Sequence, residues 1–273
     1  MSKRPYPGWG PSQQAQQHYL VEPRHLAGGG DVRHITEFLR HSGWKDHSLR
    51  GGTPAFESPD RTVRVGYNPA GQPGGWTISG SAVPPAPEWH VSLTAQTPVE
   101  IVAGLTDALT RPRSAHAPNP WAPLEEQQWK TERLQYHTFT ATSPDNNAWL
   151  RYQQAKDGQA VWMAGARTEH GLTWQAVFSS TTPMHLIQAF STSLASPEPV
   201  MRPRGHVPPT RMVRTTSVSV LPHQLSAWQQ TRINTARAAA WARNSWAASR
   251  PRTRAPRPGS HAGTRTGQPG FRR

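Results

Sequence analysis

The sequence predicts an α+β fold: a duplicated unit of helix, antiparallel sheet and helix, the two copies packed as a pseudo-symmetric pair with disordered termini. Three observations support this prediction. The chain resembles itself at an offset of 85 residues, the same order of helix and strand patterns recurs in both copies, and twelve Trp residues supply core area in a chain poor in Leu, Ile, Val and Phe. Because one unit buries only a modest core, we expect the copies to pack together.

The duplication sets the domain boundaries. Of the 66 positions from 44 to 109, 14 carry the same residue 85 positions later without a gap, whereas ordinary residue frequencies give about four. The sequence therefore predicts four parts: a mostly disordered entry segment (1–30), a first copy (31–110), a second copy (116–195) and a Pro- and Arg-rich tail (196–273), in which Ala, Gln, Trp and Arg permit a helix at 224–249.

The first copy begins with apolar residues at helical spacing over 32–39, with Asp31 as the cap and Gly43 as the end. Strand patterns follow at 53–57, 62–67, 76–80 and 89–95, the first two forming a hairpin around Ser-Pro-Asp. A closing helix begins with Thr97 as the cap and Pro98 in the first turn, and Glu100 completes a capping box.

The second copy repeats this plan. Asn119 and Pro120 open it, strand patterns lie at 149–152, 161–164 and 174–178, and Thr182-Pro183 begins its closing helix. Beyond it, proline between 197 and 209 argues against a regular element, and 215–221 is typical of a short strand.

The repeated Ser-Pro-Asp motif is a structural motif rather than a catalytic one. Pro at the second turn position, with Ser before it and Asp after it, is typical turn chemistry, and no G-x-S-x-G elbow surrounds either Ser. The paired Trp residues are expected in the core, and the unpaired Trp76, Trp121, Trp149 and Trp162 are candidates to line a groove. The structural motif residues are Ser58, Pro59, Asp60, Ser143, Pro144, Asp145, Trp89 and Trp174.

Ser58-Pro59-Asp60, Tyr67 and the path from Trp89 into Thr97-Pro98 resemble the bacterial SPDY domain of unknown function, named for its Ser-Pro-Asp-Tyr motif. Residues 22–31 resemble the entry segment of that family, and both copies depart at the fourth motif position, with Arg61 and Asn146. The resemblance covers about residues 20–195 in two tandem copies. It implies an intracellular bacterial protein and no activity.

The residue types present do not predict a catalytic site, a metal or cofactor site, or a membrane-spanning segment. The chain has no Cys and no H-E-x-x-H motif, and the histidines at 34, 41 and 47 are expected at solvated positions, so neither a metal nor a cofactor site is predicted. No apolar run approaches the roughly 18 residues of a membrane span. We expect a soluble, cytoplasmic, non-enzymatic binding protein whose duplicated body is a platform for a protein partner.

The net positive charge of the chain is confined to the tail. Residues 1–198 hold 16 basic and 16 acidic residues, whereas residues 199–273 hold 14 Arg and no acid. Arg interleaved with Trp suits phosphate contacts and base stacking, so the tail is expected to be separable from 1–198 and to bind DNA or RNA without sequence preference. The candidate contacts are Arg232, Arg237, Arg243, Arg250, Arg252, Arg254 and Arg257.

Other roles for the tail stay open. It is also consistent with a solubilising segment or an anionic lipid contact. In the main alternative function, the chain is an adaptor or inhibitor of an acidic protein partner and does not bind nucleic acid.

Overall fold

The computed structural model describes residues 15–49, 52–72, 74–111, 116–134, 137–154, 158 and 160–249. Within these ranges the chain is α+β, with helices and two antiparallel sheets. The helices are α1 (Arg33–His41), α2 (Val99–Thr110), α3 (Ala122–Glu126), α4 (Met184–Ala195) and α5 (Pro222–Ser249). The strands are β1 (Gln16–Glu22), β2 (Lys45–Asp46), β3 (Ala55–Glu57), β4 (Val63–Asn68), β5 (Gly75–Gly80), β6 (Trp89–Thr94), β7 (Lys130–Leu134), β8 (Thr138–Thr142), β9 (Ala148–Gln154), β10 (Ala160–Thr168), β11 (Gly171–Phe178), β12 (Val200–Pro203) and β13 (Arg214–Val220).

The larger sheet has ten strands in the order β2-β3-β4-β5-β6-β11-β10-β9-β8-β7. Each half is an antiparallel meander in chain order, and the last strands of the two halves, β6 and β11, pair at the centre through Leu93 with Ala176 and Val91 with Phe178. Helices α2 and α4 pack against each other. Their contact is close at Gly104, where a Cβ would lie 2.1 Å from Ser193 Oγ.

Alternation along the strands assigns one sheet face to the core. In β6, for example, Trp89, Val91 and Leu93 are buried, whereas His90 is exposed. In β6 the opposite face carries the polar side chains of His90, Ser92 and Thr94. An antiparallel sheet with one packed and one open face produces this pattern.

The entry segment is ordered from residue 15, which corrects the prediction of a mostly disordered 1–30. Strand β1 lies between β12 and β13 in a three-stranded sheet, and a 3₁₀ turn at Arg24–Leu26 follows it, with Leu26 fully buried. The prediction failed because the strands that pair with β1 lie about 200 residues away in the chain. Residues 1–14 lie outside the described ranges.

Residues 200–249 hold elements that pair or pack with the body, contrary to the prediction that 199–273 is separable, whereas residues 250–273 lie outside the described residues. Strand β12 forms within the Pro-rich stretch, where the sequence argued against a regular element, because the carbonyl and N–H groups around its prolines still pair with β1. Strand β13 forms where a short strand was predicted. Helix α5 packs along α1, so the folded body extends into α5.

Arg202 anchors β12 to the body. Its side chain, 2% exposed, forms a two-pronged ion pair with Glu100 (2.7 and 2.8 Å) and donates to the carbonyls of Ala27 and Gly28. The predicted capping box at α2 does not form, because Glu100 pairs with Arg202 and the buried hydroxyl of Thr97 has no hydrogen-bond partner in the described residues.

Candidate binding surfaces

Both Ser-Pro-Asp segments form hairpin turns, as the turn chemistry predicts. In the first, Ser58 Oγ donates to Asp60 Oδ1 (2.6 Å) and accepts the backbone N–H of Val63 (2.9 Å). Asp60 also accepts the backbone N–H of Thr62 (3.1 Å). Partial burial opposes ionisation of Asp60, but the hydrogen bonds from Ser58 and Thr62 lower the pKa of its carboxyl.

The second hairpin repeats these contacts and adds a histidine. Ser143 Oγ donates to Asp145 and accepts the backbone N–H of Ala148 (2.9 Å). His25, from the entry segment, approaches the other carboxylate oxygen of Asp145 through Nε2 (3.0 Å). Burial opposes ionisation of Asp145, but His25, Ser143 and Asn147 hold the pKa of this carboxyl well below its usual range.

The Ser-Asp-His group in the second hairpin lacks the geometry of a nucleophilic triad. In such a triad the serine hydroxyl donates to the imidazole. Here Ser143 donates to the same carboxylate that contacts His25, and its oxygen is occupied by the N–H of Ala148. The hydroxyl therefore closes the turn.

The Trp residues divide between the core and the open sheet face. Trp89 and Trp174 are 9% and 1% exposed, in agreement with their expected core position. Trp76 and Trp162 are also buried, so neither lines a groove as the sequence suggested: the strand alternation places them on the inner face. Trp121 packs against Trp162 at 5.1 Å between ring centroids. Trp149 is half-buried on the open face.

Trp149 belongs to an apolar group on the open face, which we call the outer patch. Its half-buried members lie on neighbouring strands and pair across them, Arg151 with Met163 and Met163 with Val177. The Arg151 guanidinium lies 5.4 Å from the centre of the Trp149 ring, and its buried Nε has no hydrogen-bond partner in the described residues. The outer patch consists of Trp149, Arg151, Val161, Met163 and Val177.

The outer patch is confined to one half of the sheet. Eighty-five residues earlier, the positions of Trp149 and Arg151 are occupied by Arg64 and Gly66. Arg64 is paired with Glu57 at 3.3 Å. The two halves therefore present different chemistry on the same face.

The candidate arginines of the tail differ in their surroundings. Arg232 forms a two-pronged ion pair with Asp107 (2.8 and 3.0 Å), donates to the carbonyl of His34 (3.0 Å) and stacks over Phe38 at 4.4 Å. Its guanidinium therefore anchors α5 to the body in this structure, whereas the sequence predicts it as a phosphate contact. The half-buried His34 is likewise not a solvated residue, since burial and the nearby Arg232 lower its pKa to about 4.

Beyond Arg232 the helix is less enclosed. Ile233 and Ala236 are buried against the body, Arg237 is exposed and Trp241 is 75% exposed. Arg243 lies in α5, but its side chain is not among the described parts of the chain. Arg250, Arg252, Arg254 and Arg257 lie outside the described residues.

Comparison with known proteins finds a match to a family model in both copies. A family model described as SPDY, Domain of unknown function (DUF317), matches residues 57–115 and again residues 142–200. The two matches start at the same position in each copy, one residue before a Ser-Pro-Asp hairpin, and run past the closing helix. No curated protein and no solved structure matches the chain. Among the described residues, no helix combines the length and apolar character needed to span a membrane.

Proposed function

We propose that this chain, which carries two SPDY domains, is a non-enzymatic binding protein. In this proposal the two copies form a pseudo-symmetric pair whose open sheet face is a platform for a protein partner. The Arg-rich C-terminal segment binds nucleic acid without reading its sequence.

Three features support the pseudo-symmetric pair. Both halves of the large sheet follow the same strand order, both closing helices begin after a Thr-Pro pair, and these two helices pack on each other beside the central β6–β11 pairing. Superposing 31–110 on 116–195 is expected to align Trp44 with Trp129 and Trp89 with Trp174. If no single rotation aligns both the helices and the strands of the two copies, the pseudo-symmetric pair is contradicted.

The observation that carries the nucleic-acid proposal is the charge of residues 237–273, which hold nine Arg and no acid. Of the five tail arginines before residue 237, three are in ion pairs: Arg202 with Glu100, Arg214 with Glu22 and Arg232 with Asp107. Each guanidinium group that meets a phosphate neutralises it and releases counterions. Such contacts are independent of base sequence.

The outer patch supports a protein partner. Trp, Arg and Met are enriched in protein interfaces, and Trp and Arg dominate their binding energy. Arg151 places a positively charged guanidinium beside Trp149 in the patch, which favours a partner that presents a carboxylate beside an apolar surface.

Oligonucleotide titration tests the Arg-rich segment. We expect the full chain to bind fluorescently labelled single- and double-stranded oligonucleotides of unrelated sequence with similar affinity. A chain ending at Ser249, which keeps every described element, is expected to bind far more weakly. Equal affinity of the two chains would refute the role of the segment.

A capture experiment distinguishes the main alternative, a nucleic-acid-free adaptor or inhibitor of an acidic protein. After nuclease treatment of a native lysate, a partner held by the platform is expected to bind the full chain and to be lost from Trp149→Ser with Arg151→Gln. Leu172→Ser, which changes another exposed apolar residue, is the matched control. If instead the acidic partner is lost only on truncation at Ser249, the alternative is favoured.

A further inference from the structure

A cavity of about 420 Å³ lies beside the second Ser-Pro-Asp hairpin. Its walls come from the end of β1 and the following turn, the hairpin, the end of α4 and the start of β13. This volume falls in the range of small-ligand sites. The cavity lies on neither of the surfaces assigned above.

His25 is the buried polar group of this cavity. Its side chain is 7% exposed, and its Nε2 is held at 3.0 Å from Asp145. Its other ring nitrogen, Nδ1, has no hydrogen-bond partner among the described residues. In the tautomer whose Nε2–H donates to Asp145, the Nδ1 of His25 is an acceptor.

Other groups around the cavity are also acceptors. Glu22 contributes a carboxylate, and the carboxyl end of α4 at Leu194 and Ala195 contributes carbonyl groups that a helix leaves without internal partners. No residue of α4 itself is basic in its last turn, and one carbonyl there, that of Ser193, already accepts from Arg24 (3.4 Å). The carbonyl groups of Leu194 and Ala195 and the carboxylate of Glu22 remain as acceptors for a cation at the cavity.

The chain itself shows which cation Glu22 accepts. Arg214, 82% exposed at the rim, lies 3.1 Å from Glu22. An ion pair this exposed contributes little to stability, so another guanidinium can replace Arg214 at small cost. Trp129, Met212 and the prolines of the wall offer apolar surface for the methylene stem of such a side chain.

We propose that this cavity binds the guanidinium group of an arginine carried on a peptide segment. Glu22 and the α4 carbonyls accept its N–H groups, and His25, oriented by Asp145, accepts a further one. The first hairpin has no counterpart of this site, because among the described residues no histidine contacts Asp60. Two sources have the required chemistry, the Arg-rich segment of this chain and an arginine of another protein.

Titration with N-acetyl-arginine amide, followed by NMR of the His25 ring and the Trp129 indole, tests this site. We expect binding to the full chain at least tenfold tighter than that of the citrulline analogue, which has the same shape without the charge. Equal binding of the two probes, or no response at His25 and Trp129, would overturn the proposal without any variant.

Variants and a truncation complete the test. Glu22→Gln is expected to weaken binding of the probe at least tenfold, Arg214→Ala to strengthen it by freeing Glu22, and Glu126→Gln, an exposed carboxylate outside the cavity, to leave it unchanged. Tighter binding to the chain ending at Ser249 than to the full chain would identify the Arg-rich segment as the natural occupant, whereas equal binding indicates another protein. An affinity unchanged by both Glu22→Gln and Arg214→Ala contradicts the site.

Discussion

At the scale of single residues, Glu100 illustrates what a local pattern can and cannot predict. Thr-Pro-x-Glu before an apolar run is a valid helix-start signal, and α2 does begin there. The partner of Glu100 is Arg202, about 100 residues away, and no local pattern contains that information. The buried charge of Arg202 outcompetes the backbone N–H for this carboxylate because leaving the guanidinium unpaired costs several kcal/mol.

Removing one partner of this ion pair should destabilise the fold. We expect Glu100→Gln to lower the free energy of unfolding by about 3 kcal/mol, since it removes the carboxylate that forms the two-pronged ion pair with the buried Arg202. Urea denaturation measures this, with the exposed Glu88→Gln as the control. A loss of less than about 1 kcal/mol would mean that Arg202 finds another partner.

The same pair predicts a pH dependence. Burial alone would raise the pKa of Glu100, but the charge and hydrogen bonds of Arg202 lower it from 4.5 to about 2. Since the pKa of Glu100 is lower in the folded state than in the unfolded state, the pair stabilises the fold above pH 4.5 and loses this effect as pH falls toward 2. Thermal unfolding at a series of pH values is expected to show a steeper loss in the parent chain than in Glu100→Gln. If the stability of the parent chain and of Glu100→Gln falls in parallel with pH, the pH dependence is not due to the Glu100–Arg202 pair.

The hairpin serines make a second residue-level prediction. Ser143→Ala should cost about 1–3 kcal/mol of stability, because it leaves the buried backbone N–H of Ala148 without an acceptor. Ser58→Ala removes the matching contact to Val63, so an effect of similar size is expected in the first hairpin. Chemical denaturation of both variants measures the costs. A near-neutral result at both sites would show that the motif does not hold the turns.

At the scale of elements, the strands and helices within the two copies were predictable and the connections beyond them were not. Alternation in β6 and helical spacing in α1 depend on burial of one face, which sequence reports directly. Strands β1 and β12 lack such a pattern, and they form because distant segments supply their backbone partners. The outer patch was also missed, since half-buried residues on an open face carry no periodic signal.

The α2–α4 contact predicts how the two copies depend on each other. Gly104→Ala places a Cβ 2.1 Å from Ser193 Oγ and 2.8 Å from the carbonyl oxygen of Ala189, so the two helices must move apart at a cost of about 1–3 kcal/mol. Calorimetry is expected to show one transition at a lower Tm, with Thr192→Ala on the exposed side of α4 as the control. Separate transitions for the two halves would contradict their packing.

At the scale of the whole molecule, the charge partition was real but its structural boundary was misplaced. All 14 surplus positive charges do lie after residue 198. Composition cannot distinguish an arginine that is buried against a carboxylate from one that is exposed, and nearly half of the tail is tied to the body through β12, β13 and Arg232. The segment proposed to bind nucleic acid therefore starts near Arg237 rather than at residue 199.

A matched pair of arginines on α5 tests this boundary. Arg232→Ala is expected to lower Tm and to increase hydrogen exchange in α5, because it removes the ion pair with Asp107 and the stack on Phe38. Arg237→Ala should leave Tm unchanged and weaken oligonucleotide binding slightly. Equal effects of both substitutions on Tm would place the boundary elsewhere.

The salt dependence of oligonucleotide binding tests most directly whether the Arg-rich segment, rather than the folded body, holds nucleic acid. If about four to six arginines contact phosphates at once, log affinity for duplex DNA should fall with log salt at a slope of roughly −4 to −5. The chain ending at Ser249 lacks seven of the nine Arg, and its slope should be no steeper than about −2. An identical slope and affinity for the two chains would contradict the account and place nucleic-acid binding on the body.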